Sequence, residues 1–413
     1  MNRVPVIDQL FNAIVGGDPE TWRQIEINHA EDLVHMRALV CSNEEGGIDL
    51  DLGLGITSNE YVVPIFEGPR AKFVSRHTSI QTRLTGGQSN VLLDYSLSFD
   101  SNFAEKLRAT LEGEAIQAVD KARVLEVLKL KANNAKVQFD LVPFLYENVR
   151  LARINKLNTR PLNTVIAFRM LDHLDWEAFR KNPEHFEFGR DKAALKNALE
   201  PEADKFLSSL FTSPEITLHE AKSLAMHALL LRFASLWHES KTNPKRILSQ
   251  LIDYCIFNLG FLPMTELSLI WAGIGGKQQA PFFGPITGKA KNMLEQISGM
   301  AWDMTHLRIM ERLASQSKLG SFYVPYFVTL DRRWRSLLRM NPIRFTLLDD
   351  STKAMLYGRA DELSFQIALN TCMSQEARNE MAPQKVNARR LAAKAITVER
   401  MNGLVATEEK HWR

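Results

Sequence analysis

Five acidic residues stand where their chemistry could be used. Asp303 lies near the start of a helical stretch, AWDMTHLRIMERL, and Asp331 ends the apolar run SFYVPYFVTLD that follows it. Far upstream, Asp94 closes the short apolar run NVLLD, and Asp100 follows it within SFDSN. Glu147 falls in VPFLYEN, one turn beyond Pro143, among Phe, Leu and Tyr, where a carboxylate is costly to bury unless it is paired or bound to a metal. Pairing with Arg150 on a helix surface is the alternative for Glu147. Carboxylates brought to the ends of neighbouring elements offer hard oxygen ligands, which suit divalent cations. Without a cation, two of them ~4 Å apart repel by on the order of 4 kcal/mol at intermediate dielectric. A bound cation makes a water a better nucleophile and stabilises charge on a phosphate, and two cations roughly 4 Å apart clamp both attacking and leaving oxygens.

The elements that must position these acids follow from apolar periodicity and turn residues. Residues 1–45 read as helical, with Leu10, Phe11, Ile14 and Val15 at helical spacing and a helix start at Asp18-Pro19-Glu20. Glu44–Gly55 is a Gly-rich acidic loop whose Asp49 and Asp51 are more economically solvated than cation-bound. Tyr61–Phe66 and Ala71–Ser75 read as strands of a hairpin around Gly68-Pro69. Residues 1–88 are therefore expected to be an N-terminal extension or small α+β domain, bounded by Gly86-Gly87. Asn90–Asp94 then suits a buried parallel strand whose carboxyl end points into a site. Helices are expected at Phe103–Leu111, Ala115–Ala132 and after Pro143. Residues 160–289 are too long for a simple crossover and read as a helical insertion. Gly320 marks a turn before the run ending at Asp331, and Arg344–Leu348 reads as a last strand. Residues 353–413 form a helical, basic tail with Arg378, Lys385, Arg389, Arg390, Lys394 and Arg400.

Composition narrows the function classes. The 413 residues are 45% hydrophobic and 24% charged, as in ordinary globular proteins, and long enough for two or three domains. Cys41, Cys255 and Cys372 are widely separated, which argues against a thiolate metal site or a disulfide framework and for a reducing, cytoplasmic setting. No signal-peptide core and no apolar run of membrane-spanning length is present. A net charge of +3 is too small to imply nucleic acid by itself. Neither GIGGK at 273–277 nor GPITGK at 284–289 has phosphate-loop spacing. The pairs His219-Glu220 and His238-Glu239 do not make the HExxH of zinc proteases, and GxSxG is absent.

Taken together, NVLLD with FDSN, FDLVPFLYEN, WDMTHL and YFVTLDRRW resemble the PIN-domain nuclease family over about 91–155 and 290–350. The resemblance implies an α/β fold: a PIN-like three-layer αβα core with a central, mostly parallel sheet, in two halves at 89–159 and 290–352, interrupted by the helical insertion. It implies metal-dependent RNA cleavage, with Mg²⁺ or Mn²⁺ held by Asp94, Glu147, Asp303 and Asp331. Asp100 rivals Asp94 as the first ligand, because DSN at 100–102 matches the family's Asp-x-Asn better than DYS at 94–96. Asn102, His306, Thr329, Arg332 and Arg333 are the expected substrate-side residues, with the tail arginines as further phosphate contacts.

RNA is the partner this implies, with no membrane, and the helical insertion or tail offers a surface for a protein partner or a second copy. The extra segments fit a toxin-like or defence effector whose nuclease they restrain. The other reading is a noncatalytic helical interaction protein with a degenerate core of the same kind, because 48 acids are available to fall into pattern by chance.

Overall fold

Two apolar runs more than 200 residues apart, LDYSLSF and FYVPYFV, lie side by side as parallel strands in a computed structural model of the chain. The structure describes residues 5–412 apart from 57–58, 92, 156, 240–242, 276–280, 289 and 315–321. The expected turn at Gly320 and part of the GIGGK loop lie outside the described residues.

The chain is a mixed α/β protein with two sheets. In chain order the strands are β1 (Met36–Ser42), β2 (Ile48–Asp49), β3 (Val62–Pro64), β4 (Arg70–Ser75), β5 (Leu93–Phe99), β6 (Phe139–Asp140), β7 (Phe322–Val328), β8 (Ile343–Asp349) and β9 (Ala354–Arg359). One sheet has the order β3-β7-β5-β6, with β7, β5 and β6 parallel and β3 antiparallel at its edge. Register aligns Leu93 with Phe322 and Phe99 with Val328, so β5 and β7 end level with each other. Leu97, Phe99, Val324, Tyr326, Phe327 and Val328 are fully buried, which explains the near-continuous apolar character of β7 and the apolar residues of β5.

The second sheet, order β2-β4-β1-β8-β9, is antiparallel throughout and corrects several expectations. Residues 1–88 are not set apart from the rest. β1 pairs with β8 while β3 pairs with β7, so the N-terminal strands complete both sheets. Tyr61–Phe66 and Ala71–Ser75 do not form a hairpin, because β3 and β4 belong to different sheets. The strand expected to be last, β8, is followed by β9, so the stretch from 353 begins with a strand rather than a helical tail. At the β8–β9 pairing Gly358 lies against the Phe345 ring, where a Cβ would fall 1.9 Å from a ring carbon. That ring packs with Phe11, Ile7 and Leu10 of the first helix, Val6–Gly16, in a small second core.

The described residues of 160–289 are mostly helical, with an isolated bridge between Leu174 and Phe188. Their longest helix, Pro214–Glu239, packs between Met293–Leu313, which carries Asp303, and the C-terminal helix Val398–Glu409. The tail is thus docked. Arg400 donates to the Asn258 carbonyl at 2.7 Å, Arg389 to the carbonyls of Glu380 and Ala382, and Lys385 pairs with Glu380. Among the described residues no helix is long and apolar enough to cross a membrane.

Candidate functional site

Strand ends and helix starts place Asp100 and Asp331. β5 ends at Phe99, and Asp100 N-caps the helix Ser101–Glu112, its Oδ1 accepting from the Phe103 backbone N–H at 2.7 Å. β7 ends at Val328, and Asp331 N-caps Arg332–Met340, its Oδ1 accepting from the backbone N–H groups of Arg333 at 2.7 Å and Trp334 at 3.1 Å. Asp is a favoured N-cap because its short carboxylate reaches the unpaired N–H groups of a first turn. Both acids therefore have a structural task at Oδ1.

Thr329 links the two strand ends. Its buried hydroxyl donates to Asp100 Oδ2 at 2.5 Å and accepts from the Asp331 backbone N–H at 3.0 Å. The Thr329 backbone is held in turn, its N–H donating to the Tyr61 carbonyl at 3.1 Å and its carbonyl accepting from buried Arg335 at 2.9 Å. Ser101 does a similar service for Glu147, donating its hydroxyl to Oε2 while accepting from Asn148 Nδ2 at 2.8 Å. Glu147 lies on the helix Val142–Ile154, started by Pro143 as its first-turn position favours.

Electrostatics tie the four acids together. Asp303 is a correction in its setting: the helix begins at Met293, well before the expected start, so Asp303 sits half-buried midway along Met293–Leu313 rather than near a helix start. Its carboxyl is held well above the usual range by burial and then by the charges of Asp331, Asp100 and Glu147, with Arg333 opposing. Burial pushes Asp100 up to about 7 against its hydrogen bonds from Thr329 and Phe103, and the charges of Glu147 and Asp331 add to the rise. Glu147 is raised by burial, against the Ser101 hydrogen bond and the nearby Arg160 and Arg150. Asp100, Glu147, Asp303 and Asp331 thus share one region at the carboxyl ends of the parallel strands. Among the described residues, however, no three His, Cys, Asp or Glu side chains are grouped so that they could hold a metal ion as they stand. The donors match a hard cation in kind, and their present grouping is looser than a coordination shell.

Asp94 belongs elsewhere. It lies at the beginning of β5, beside Tyr323, and the strand runs on through Phe99 before reaching the site. At about 3.3 Å per residue, the six positions to Asp100 span roughly 20 Å. The strand expected at Asn90–Asp94 is displaced toward the C-terminus because YSLSF, with its interspersed serines, continues it. Ser96 and Ser98 satisfy their hydroxyls within the sheet, with Tyr323 and Asp140 respectively.

The expected substrate-side residues divide. Thr329 braces Asp100 and is buried. Arg332 and Arg333 are exposed on the first turn after Asp331, with Arg333 Nη1 donating to Gln296 at 3.0 Å and its Nε 3.9 Å from Asp331. Asn102 is exposed on the first turn after Asp100. His306 is a correction: it is 1% exposed, its ring stacks parallel to His219 and tilts against Trp302, and neither nitrogen has a partner. A substrate cannot reach it without opening the helix pair.

Ser101, Asn148 and Arg335 were missed in the sequence. Ser101 carried a usable signal, lying between Asp100 and Asn102 in the same DSN. Asp140, at the end of β6, is a further half-buried carboxylate near this edge, accepting from Ser98 at 2.8 Å and from the Val142 N–H at 3.0 Å, and raised by burial. No protein-family model, curated protein or solved structure matches the chain.

Proposed function

We propose that Asp100, Glu147, Asp303 and Asp331 form a divalent-cation site and that the protein is a metal-dependent endoribonuclease with a PIN-like core. The observation that carries this reading is the state of Asp303. It is half-buried, its carboxyl raised by burial and then by three other carboxylates, and among the described residues it has no hydrogen-bond or ion-pair partner. Such a carboxylate is costly to keep unless a cation offsets it. Two parallel strands ending level at Asp100 and Thr329 also suit a site at the carboxyl edge of a sheet.

Mg²⁺ or Mn²⁺, held by these four acids, would supply positive charge to a phosphodiester and a more nucleophilic water. The chain's own residues do the positioning. Thr329 fixes Asp100 and the Asp331 backbone together, Ser101 and Asn148 fix Glu147, and the helix starts keep Asp100 and Asp331 in register. Arg332 and Arg333 stand beside Asp331 to meet RNA phosphates.

A noncatalytic role is the second reading, favoured by the capping work of Asp100 and Asp331 and by the loose grouping of the acids. Cleavage of a single-stranded RNA with Mn²⁺ or Mg²⁺ separates the two. Wild type is expected to cut, with loss of at least a hundredfold in Asp303→Asn and Asp331→Asn. Equal cutting by all three proteins refutes the site, and no cutting by wild type favours the noncatalytic role.

A further inference from the structure

Four ionised carboxylates around two divalent cations sum to no net charge, so such a site has no surplus attraction for a phosphodiester anion. Beyond Arg332 and Arg333, a fixed cation at its edge on the Glu147 side would add that attraction. Several arginines near the acids are already engaged. Arg160 Nε is 2.8 Å from Glu105 and Arg153 Nη2 is 2.9 Å from Glu220, while Arg332 and Arg333 stand on the Asp331 side.

Arg150 differs. It lies one turn beyond Glu147 on the same helix face, and its guanidinium sits 5.4 Å over the ring of Trp302, the neighbour of Asp303. Its contact with Glu220 is loose at 3.8 Å, because Arg153 already occupies that carboxylate. Its Nε is buried without a partner, while a quarter of the side chain remains exposed. A cation–π contact holds a guanidinium in place without consuming its N–H donors.

Resting on the ribonuclease reading above, we infer that Arg150, held over the Trp302 ring between the Glu147 and Asp303 helices, binds an RNA phosphate at the four-acid site. The planar fork suits two phosphate oxygens, which a lysine ammonium meets only as a point charge. Arg150 thereby contributes to substrate binding and leaves metal binding to the acids.

The test compares wild type, Arg150→Gln and Arg150→Lys in Mn²⁺-dependent cleavage of a single-stranded RNA oligomer at several salt concentrations, together with Mn²⁺ titration of each protein without RNA. Arg150→Gln is expected to raise KM about tenfold or more, as loss of a charge-assisted hydrogen bond does. Its dependence of log affinity on log salt should weaken by about 0.7, the value for one phosphate contact on a single strand. Mn²⁺ affinity should stay within about twofold of wild type, and Arg150→Lys should recover part of the loss. Wild-type kinetics in Arg150→Gln overturn the inference, as does Mn²⁺ affinity falling in step with cleavage, since Arg150 would then only support Glu147. Should Arg150→Gln fail to fold by circular dichroism, Arg150→Lys decides, with an unchanged KM overturning the assignment. Absence of cleavage by wild type removes the ribonuclease reading and this inference with it, whereas cleavage unaffected by Arg150 removes the inference alone.

Discussion

Thr329 Oγ1 donates to Asp100 Oδ2 at 2.5 Å across the ends of two parallel strands, although 229 residues separate the two in sequence. The same oxygen accepts the Asp331 N–H, so one hydroxyl sets the spacing of two acids. Thr329→Val keeps the shape and removes both bonds. It is expected to destabilise the fold by about 1–3 kcal/mol, the cost of stranding a buried polar partner. Mn²⁺ affinity should fall about tenfold or more, as when a ligand loses its supporting hydrogen bond. Thr329→Ser should restore both. Calorimetric metal titration and denaturant melts measure the pair, and a valine variant with wild-type Mn²⁺ affinity would show that Thr329 does not hold a ligand.

The acids should also shape stability against pH when chelator keeps divalent metal away. Asp100 takes up its proton at about pH 7 in the fold, against 3.8 ordinarily, and Asp303 and Glu147 are raised in the same direction. Between those values the folded chain holds more protons than the unfolded one, so this contribution falls as pH rises from about 4 to above 7. Asp303→Asn is therefore expected to be more stable than wild type at pH 8, by on the order of 1 kcal/mol, with the gain shrinking toward pH 4. Melting curves across that range with EDTA check it. An asparagine variant less stable than wild type at pH 8 would mean that the carboxylate is not under repulsion.

His306 acts in the opposite sense. Burial holds its imidazole down to about 3, and His219 beside it is lowered by burial and by the charges of His306, Lys222 and Arg312. The folded chain keeps these rings neutral while the unfolded chain protonates them near 6.5, so their contribution is lost as pH falls below that value. His306→Leu should change stability at pH 7 by less than about 1.5 kcal/mol and move the acid unfolding midpoint to lower pH. An unmoved midpoint would assign acid unfolding to other groups.

Much of the site was legible in the sequence, and the reasons are local. Apolar runs and Pro at a first helical turn are short-range signals, and they gave Glu147 and Asp331 their settings, whereas Asp303, expected near a helix start, lies midway along Met293–Leu313. The choice between Asp94 and Asp100 was not legible, because it turned on where β5 stops. Its serines are paired by Tyr323 and Asp140, which are brought there only by the folded sheet. The antiparallel sheet was missed for the same reason, since pairing of Met36–Ser42 with Ile343–Asp349 leaves no mark in either segment alone. The charged centre was hidden too. Glu311, fully buried near the end of the Asp303 helix, pairs with buried Arg359 and with Arg308, and Thr265 donates to it.

That centre gives a stability prediction independent of function. Glu311→Gln leaves Arg359 without its buried counter-charge and is expected to cost about 3–5 kcal/mol in urea unfolding. A loss below about 1 kcal/mol would show that water reaches the guanidinium.

The central claim is that Asp100, not Asp94, joins Glu147, Asp303 and Asp331 in one cation site. Mn²⁺ titration by calorimetry of wild type, Asp94→Asn, Asp100→Asn and Asp303→Asn tests it most directly. Wild type and Asp94→Asn are expected to bind alike, while Asp100→Asn and Asp303→Asn each lose at least tenfold in affinity. Binding that survives both of those substitutions, or that is lost in Asp94→Asn alone, would contradict it.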